Sequence, residues 1–575
     1  MVYSCTMAKL NIADMVPSDV DKALAQFSPL TRTLLFNRGM TDAQEAVRFL
    51  APDWERDIHD PFLILNMERA VDRILLSIEK KEHIVIYGDY DCDGIPASVV
   101  LHDFFKKIGY NNFENYIPHR HKEGYGLHIH ALDEFAKRNT KLLITVDLGI
   151  TDVGQVEHAN KLGIDMIITD HHLPQEVLPP AYAIINSKQK DDTYPDPMLC
   201  GAGVAFKLVQ ALLKKGRFDV HEGWEKWLLD MAGLSTIADM VPLKNENRAL
   251  AYFGLKVLQK SPRKGLQKLL RKAGVYQPYM TEGDVGFMVA PRINAASRMG
   301  VPRDAFTLLS TTDEVEADTL TKHLHDINNK RKTSTALIMK ELKKTFAERE
   351  PREVVVVGNP QWHVGILGII ASNLVEQFNR PAFVWGRDDN DMIKGSCRSD
   401  GSVDLVELMG AVSKDVFEHA GGHAAAGGFT VSKDHIHNLE EELSASYLNI
   451  KKDVPEKSIF IDRCMTLDEV NWKTFDEIKQ FAPFGVDNHC PVFLFRDVSL
   501  ARIDLFGKEK NHLKVIMQKP SGDEVSAIGF FMNERTFETP LEGGQKVDLV
   551  ASLEKEVFRG APSVRLRIID ISNIR

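Results

Sequence analysis

Residues 84–94, IVIYGDYDCDG, run a continuous apolar strand into a glycine turn that carries Asp89, Asp91 and Asp93 at every second position. Side chains two apart on an extended segment point the same way, so three like charges converge there and repel unless cations sit among them. A solvated acidic turn is the plain alternative, since a lone motif of this length recurs by chance. The rest of the chain decides between the two.

From residue 84 to about residue 186, short β-branched runs alternate with helical patterns: IVIY, SVVLHDFFKKIG, LLITVD, VGQVEHANKLG, MIITD and YAIIN. Strands that are apolar throughout and separated by helices predict a parallel sheet covered on both faces, with sites at the carboxyl ends of the strands. Asp89, Asp147 and Asp170 all fall at such ends. Upstream, residues 1–55 read as a small helical lead-in, with TDAQEAVRFL supplying a Thr cap and an apolar face. A long polar helix rich in Lys, Glu and Leu is expected from about residue 313 to 348, as a spacer between two lobes.

A second α/β rhythm begins with VVVVG at 354–358 and runs through HVGILGIIASNLVEQF and AFVWG to a glycine-rich HAGGHAAAGGF at 419–429. Past about residue 453 the period shortens to two with turn punctuation, in HLKVIM, VSAIGFF, VDLVASL and SVRLRIIDI, which predicts a small OB-type β-barrel. The expected architecture is α/β. A parallel-sheet domain (56–300) joins through the helical region (301–350) to a second α/β domain (351–452), and the barrel follows (453–575).

The chain has 575 residues, 44% of them hydrophobic and 26% charged, enough for about four domains. A formal charge of −10 argues against coating nucleic acid through bulk positive potential, yet leaves room for a local basic groove. Cys5, Cys92, Cys200, Cys397, Cys464 and Cys490 lie far apart with no CxxC pair, which fits reduced thiols rather than a disulfide or zinc framework. Cys92 reads as a small filler beside hard oxygen ligands. With no signal-peptide pattern at the N-terminus and no apolar run approaching about 18 residues, the expected location is the cytoplasm.

Four acidic or histidine signals recur at strand ends: the Asp89, Asp91 and Asp93 turn; Asp147 in TVDLG; Asp170, His171 and His172 in IITDHH; and Asp239 in IADMVPL. Singly each is weak, but on one sheet edge they offer oxygen and imidazole ligands enough for two divalent ions. In order and spacing, IYGDYDCDG, TVDLGIT, TDHH and STIADMVPL resemble the four motifs of the DHH phosphoesterases, and GGHAAAGGF resembles the DHHA1 glycine-rich motif. Within that family HRHKEGYGL, LCGAGVAFKL, PRINAASRM, WHVGILGIIAS, KGSCRS, FAPFGVDNHCPVF and VFRGAPSVRLR are similar to the single-strand-specific 5′-to-3′ exonucleases. Two departures, Ser297 for a usual Gly and Cys397 for a smaller residue, touch no expected ligand.

The resemblance implies two-metal phosphodiester hydrolysis releasing 5′-mononucleotides, in DNA repair and recombination. It implies Asp147 shared by both ions, Asp89 and Asp91 mainly on one, and Asp93, His171 and Asp239 on the other. Mixed oxygen and imidazole ligation suits Mn²⁺, with Mg²⁺ the alternative. His172 is expected at the scissile phosphate, with Asp170 orienting a histidine. Arg120, Ser396 and Arg398 are implied to grip the 5′ end, His423 to approach the strand backbone between glycines, and Arg292, Asn294 and Arg298 to line the path.

In the barrel, Lys508, Lys510, Lys514, Arg559, Arg565 and Arg567 alternate with apolar residues, and Phe506 and Phe558 could stack on bases. The resemblance implies single-stranded DNA as the partner, with a single-strand-binding protein and a helicase as companions; no membrane is expected, and since no feature forces an oligomer, a monomer is. Two other classes compete: a phosphodiesterase or pyrophosphatase for small substrates, which has no need of the barrel, and a non-catalytic scaffold, which would lack ligands.

Overall fold

A computed structural model describes residues 9–388, 390–413, 415–454, 458–507, 510–532, 536–537, 540–558 and 561–573, the side chains of 557, 558, 561 and 573 excepted. They form two compact units, one of residues 58–241 and 249–454, the other drawn from residues 1–57, 242–248 and 455–575.

The larger unit holds two α/β halves. In the first, β1 (His83–Gly88), β2 (Phe113–Tyr116), β3 (Thr140–Val146), β4 (Asp165–Thr169) and β5 (Ala183–Ile185) lie in the order β2-β1-β3-β4-β5, and every pair is parallel. Val85, Tyr87, Leu143 and Ile168 pack with Leu132 and Phe135 in one buried core. Because the strands are parallel, their carboxyl ends share one edge, and Asp89, Asp147, Asp170 and Asn186 each follow directly on a strand there. The short, half-polar β2, sequence FENY, was not legible as a strand because it is an edge strand without a continuous apolar run. Helices α1 (Gly94–Lys107), α2 (Gly201–Lys215) and α3 (Leu229–Ala238) follow, with Asp239 as the C-cap of α3.

After α4 (Ala290–Met299) comes α5 (Glu314–Glu348), a helix of 35 residues whose cap Asp313 accepts the backbone N–H groups of Val315 and Glu316. The second half is built on β6 (Val355–Gly358), α6 (Leu367–Phe378), β7 (Ala382–Arg387), β8 (Ile393–Arg398), β9 (Phe417–Gly422) and β10 (Ala426–Val431). Its sheet runs β9-β10-β8-β7-β6, parallel only between β6 and β7. The glycine-rich segment is thus an antiparallel hairpin, and His423 sits in its tight turn.

In the smaller unit, β11 (Phe493–Phe506), β12 (His512–Gln518), β13 (Glu524–Gly529), β14 (Lys546–Phe558) and β15 (Ala561–Asn573) close into a five-stranded barrel through the pairing of β11 with β14. Residues 9–57 carry the short helices expected of a helical lead-in, with Asp42 rather than the expected Thr41 capping Ala43–Leu50, and a strand besides. Lys9–Ile12 is a strand paired in parallel with Ser458–Ile461. The helices Ser18–Ala23 and Pro29–Phe36 bury Val20, Leu24, Leu30 and Leu34 in the same core as Phe493, Leu513 and Leu549 of the barrel. Helices of six and eight residues cannot bury an apolar face alone, so the segment belongs with the barrel. No described helix is long and apolar enough to cross a membrane.

Candidate metal centre and nucleic-acid contacts

The turn after β1 is held by its own carboxylates. Asp91 Oδ1 accepts the N–H groups of Asp93 at 2.8 Å and Gly94 at 3.1 Å, tying the turn to the start of α1. Asp93 reaches across to the start of α2, where its two oxygens accept the N–H groups of Gly201 at 2.6 Å and Ala202 at 2.7 Å. A helix N-terminus presents free N–H groups to an anion, and this one fixes Asp93 in place. Asp147 takes a left-handed backbone, φ 65°, which turns its carboxylate off the end of β3. Gly201 leaves room for it: a Cβ there would lie 2.6 Å from Asp147 Cβ and 2.7 Å from its Oδ1.

His171 Nε2 lies 3.1 Å from Asp147 Oδ1, 3.5 Å from Asp93 Oδ2 and 3.7 Å from Asp239 Oδ2. Three trios each bring their ligand atoms within 4.8 Å of one another: Asp89, Asp91 and Asp147; Asp93, His171 and Asp239; and Asp147, His171 and His172. Asp147 occurs in two of them. All six residues expected as ligands are therefore gathered at one edge of the sheet.

Burial is the first electrostatic fact about this cluster. It pushes the carboxyls of Asp89 and Asp147 well above the usual range, with neighbouring carboxylates adding to it, and takes Asp239 up to about 8. Asp89 Oδ1, Asp147 Oδ1 and His171 Nδ1 are buried without a hydrogen-bond partner. Carboxylates that repel one another when buried, yet are pinned by backbone donors beside an imidazole, fit a pair of divalent cations, which reverse the repulsion.

Asp170 is the exception among the acids. Although burial opposes it, the hydrogen bond and charge of His172 and the backbone N–H groups of Ile150 and His172 hold its carboxyl below the usual range. His172 Nδ1 lies 2.7 Å from Asp170 Oδ1, and Asp170 outweighs burial to raise the imidazole to about 9. Two further neighbours of His172 escaped the sequence reading. The Tyr125 hydroxyl lies 3.2 Å from its Nδ1, and Asn186 Nδ2 donates to its carbonyl at 2.9 Å. Tyr125 stands between Gly124 and Gly126, both at positive φ, a signal of a fixed turn that could have drawn notice.

Beside the metal cluster stands a group of guanidiniums. Arg120 lies over the Tyr90 ring at 4.9 Å. Burial and the charges of Arg120, Arg331 and Arg398 bring Arg298 down to about 10, and burial together with Arg120 lowers Arg398. Ser396 and Arg398 share one face of β8, toward Gly368 of α6, where a Cβ would lie 2.9 Å from Arg398 Nη2 and 3.7 Å from Ser396 Cβ. Arg292 is buried with Nε unpartnered, as is Asn294 Oδ1. His423 is exposed, its N–H donating to Ala426 O at 2.8 Å across the hairpin turn.

Arg298 also fastens the two halves of the larger unit. Its carbonyl lies 2.8 Å from His121 Nε2, its Nη1 donates to Gly365 O at 3.4 Å, and a Cβ on Gly365 would stand 1.9 Å from that same carbonyl. Gly365→Ala is expected to destabilise the protein by about 2–3 kcal/mol through overpacking against rigid backbone. Urea unfolding measures the loss.

In the barrel Phe506 belongs to an aromatic group that the sequence only half disclosed. Ring centroids lie 5.2 Å apart for Phe506 and His512, 5.5 Å for His512 and Phe530, and 5.0 Å for His512 and Phe531. Arg567 stands 5.4 Å over Phe530, and Phe531 is 79% exposed. Lys510 is exposed and Lys514 half-buried on β12. Lys508, Arg559 and the side chain of Phe558 lie outside the described residues. Arg565 departs from the sequence expectation: it ion-pairs with Glu554 and Glu556 of β14 and is spent within the ladder.

Residues 83–236 match the DHH family, N-terminal domain, residues 352–447 the DHHA1 domain, and residues 461–570 the RecJ OB domain. The chain is 34% identical over 549 residues to the single-stranded-DNA-specific exonuclease RecJ of Bacillus subtilis (strain 168), covering 94% of this chain and 68% of that protein. To the protein of that name from Escherichia coli (strain K12) it is 30% identical over 575 residues, covering 95% and 96%. Among solved structures, RecJ in complex with Mn²⁺ from Thermus thermophilus matches with a TM-score of 0.81 at 24% identity, over 99% of this chain and 80% of that one. An exonuclease RecJ bound to manganese matches with a TM-score of 0.59 at 31% identity, over 68% of this chain and 96% of that one.

Proposed function

The chain belongs to the RecJ family of DHH phosphoesterases, and from that membership we propose how its residues divide the work of a single-stranded-DNA-specific exonuclease. The observation that carries the reading is the convergence of Asp89, Asp91, Asp93, Asp147, His171 and Asp239 into trios joined at Asp147 and His171. Two divalent ions, Mn²⁺ or Mg²⁺, would be held here, with Asp147 serving both, Asp89 and Asp91 on one, and Asp93, His171 and Asp239 on the other. When bound, such a pair activates water and neutralises charge on the phosphate oxygens and the leaving group.

His172, oriented by the Asp170 carboxylate 2.7 Å from its Nδ1, contacts the scissile phosphate, and Asp170 is its positioning residue. Arg120, Ser396 and Arg398 grip the 5′ end, where guanidinium forks suit phosphate geometry. Arg292, Asn294 and Arg298 line the approach, and the exposed His423 turn meets the strand backbone. Hydrolysis proceeds 5′ to 3′ and releases 5′-mononucleotides in DNA repair and recombination. The enzyme acts in the cytoplasm as a monomer, where a helicase supplies the single strand and a single-strand-binding protein covers it.

The barrel holds the strand by stacking. Phe530 and Phe531, with Phe506, offer π-faces beside the cations Arg567, Lys510 and Lys514, and base stacking is worth about 1–3 kcal/mol per base. Phe531→Ala should therefore weaken binding of a long strand by roughly 5- to 100-fold, read by fluorescence anisotropy, while turnover of a dinucleotide is unchanged. Equal affinity for the long strand would remove the stacking role.

The overall reading is tested by digestion with Mn²⁺ of a single strand labelled at its 5′ end, a duplex and inorganic pyrophosphate. Labelled 5′-mononucleotide released at the outset from the single strand alone is the expected result. Hydrolysis of pyrophosphate without attack on the strand would overturn it.

A further inference from the structure

Arg120 extends from a turn whose backbone is fixed. The His119 carbonyl accepts the N–H groups of Lys122 at 3.1 Å and Glu123 at 2.9 Å, and Glu123 Oε2 accepts the His119 N–H at 2.6 Å. The Arg120 side chain is held otherwise. It is half-buried, and among the described residues its guanidinium makes no hydrogen bond and no ion pair. What it meets is the Tyr90 ring, whose centroid lies 4.9 Å from the guanidinium carbon.

The chemistry of that partner matters. An arginine held by a carboxylate spends on it the planar N–H fork that a phosphate needs. A ring face attracts the cation through its quadrupole and takes none of those donors. Arg120 is thus steadied with its N–H groups left over. Without the ring, repulsion from Arg298 and Arg398, both of which feel the charge of Arg120, would drive so long a side chain away from the site. Ordering its rotamers only when a ligand arrives would then cost affinity.

Tyr90 is placed to do this. It is 7% exposed, and it stands in the chain between Asp89 and Asp91, in the turn that Asp91 ties to the start of α1. Among the described residues its hydroxyl makes no hydrogen bond, so what the side chain offers Arg120 is the ring.

We propose that Tyr90 is a positioning residue for the 5′ end: its ring holds the Arg120 guanidinium against the metal-binding turn with the N–H fork free, and so sets how strongly a 5′-phosphate is preferred to a 5′-hydroxyl. The inference rests on the reading of Arg120 given above. One turn then serves two tasks, with Asp89 and Asp91 as ligands and Tyr90 as the support of the grip.

Steady-state cleavage in Mn²⁺ of short single strands carrying a 5′-hydroxyl or a 5′-phosphate tests it through the ratio of their KM values, from which a general loss of activity cancels. The full chain is compared with Tyr90→Phe, the same variant with its ring trifluorinated, Tyr90→Leu, Arg120→Gln and the double variant. Tyr90→Phe should keep the wild-type ratio, since the ring remains. Trifluorination drains the ring face of negative potential at almost unchanged shape and should lower the ratio by about 2- to 5-fold, and Tyr90→Leu by about 2- to 30-fold. Once Arg120→Gln is in place, Tyr90→Leu should lower it no further. A wild-type ratio in the trifluorinated variant, or an equal fall from Tyr90→Leu with and without Arg120, would overturn the inference. A wild type that does not distinguish the two ends, or Arg120→Gln with the wild-type ratio, would instead overturn the reading of Arg120. The trifluorinated ring fills the same space, so a folding defect in Tyr90→Leu does not remove the test.

Discussion

Asp147→Ala is expected to lower kcat on single-stranded DNA by about three orders of magnitude or more, because ion-assisted charge stabilisation is worth several kcal/mol and each 1.4 kcal/mol is tenfold. The size of the effect follows from position. Asp147 occurs in two ligand trios, its Oδ1 is buried with no hydrogen bond, and its backbone is held at φ 65°, a strain tolerated where the side chain has a job. Asp147→Asn separates charge from shape: it keeps the side chain's outline, carries one donor too many for a metal bridge, and should lose nearly as much activity. Strand binding through the barrel should persist in both, as measured by anisotropy. Full activity in either variant would remove Asp147 from its central place.

Gly201→Ala should be almost as damaging, although glycine carries no chemistry. The added methyl would stand 2.6 Å from Asp147 Cβ, and Gly201 also gives its N–H to Asp93 Oδ2 at 2.6 Å, so one substitution displaces two of the proposed ligands. Neither neighbour can yield cheaply: Asp147 is fixed by the end of β3, and the helix α2 by its buried face. A shift of about 1 Å in a catalytic group can cost ~100-fold in rate. We expect at least that loss in kcat, with weaker Mn²⁺ binding by calorimetry and a far-UV circular dichroism spectrum like that of wild type. Wild-type Mn²⁺ affinity in Gly201→Ala would show that the close packing has no bearing on the site.

The contrast between these two residues shows what the sequence discloses. Asp89, Asp91, Asp93, Asp147 and His171 were legible because a charged residue at the end of a buried apolar run is conspicuous, and a parallel sheet brings all such ends to one edge, whereas Asp239 caps the helix α3 and was legible only through its motif. Gly201 was not, because its importance lies in a methyl that would collide with a residue 54 positions earlier, and no local pattern reports that. The long helix α5 could be bounded from its Asp cap and lack of breakers. The strand Lys9–Ile12 could not, since four residues pair only with a segment hundreds of positions away. In the barrel, period two revealed the strands but not which cations are free. Arg565 looks like a groove residue until Glu554 and Glu556 are seen opposite it, while Phe530 and Phe531 fall in a turn where periodicity carries no information.

Anomalous diffraction from crystals of the full chain soaked in Mn²⁺ tests the account most directly. Two manganese peaks about 3.5–4 Å apart, both in contact with Asp147, are predicted, and in Asp147→Ala at least one should vanish. Peaks absent from the cluster of Asp89, Asp91, Asp93, His171 and Asp239, or a single ion that Asp147 does not touch, would contradict it.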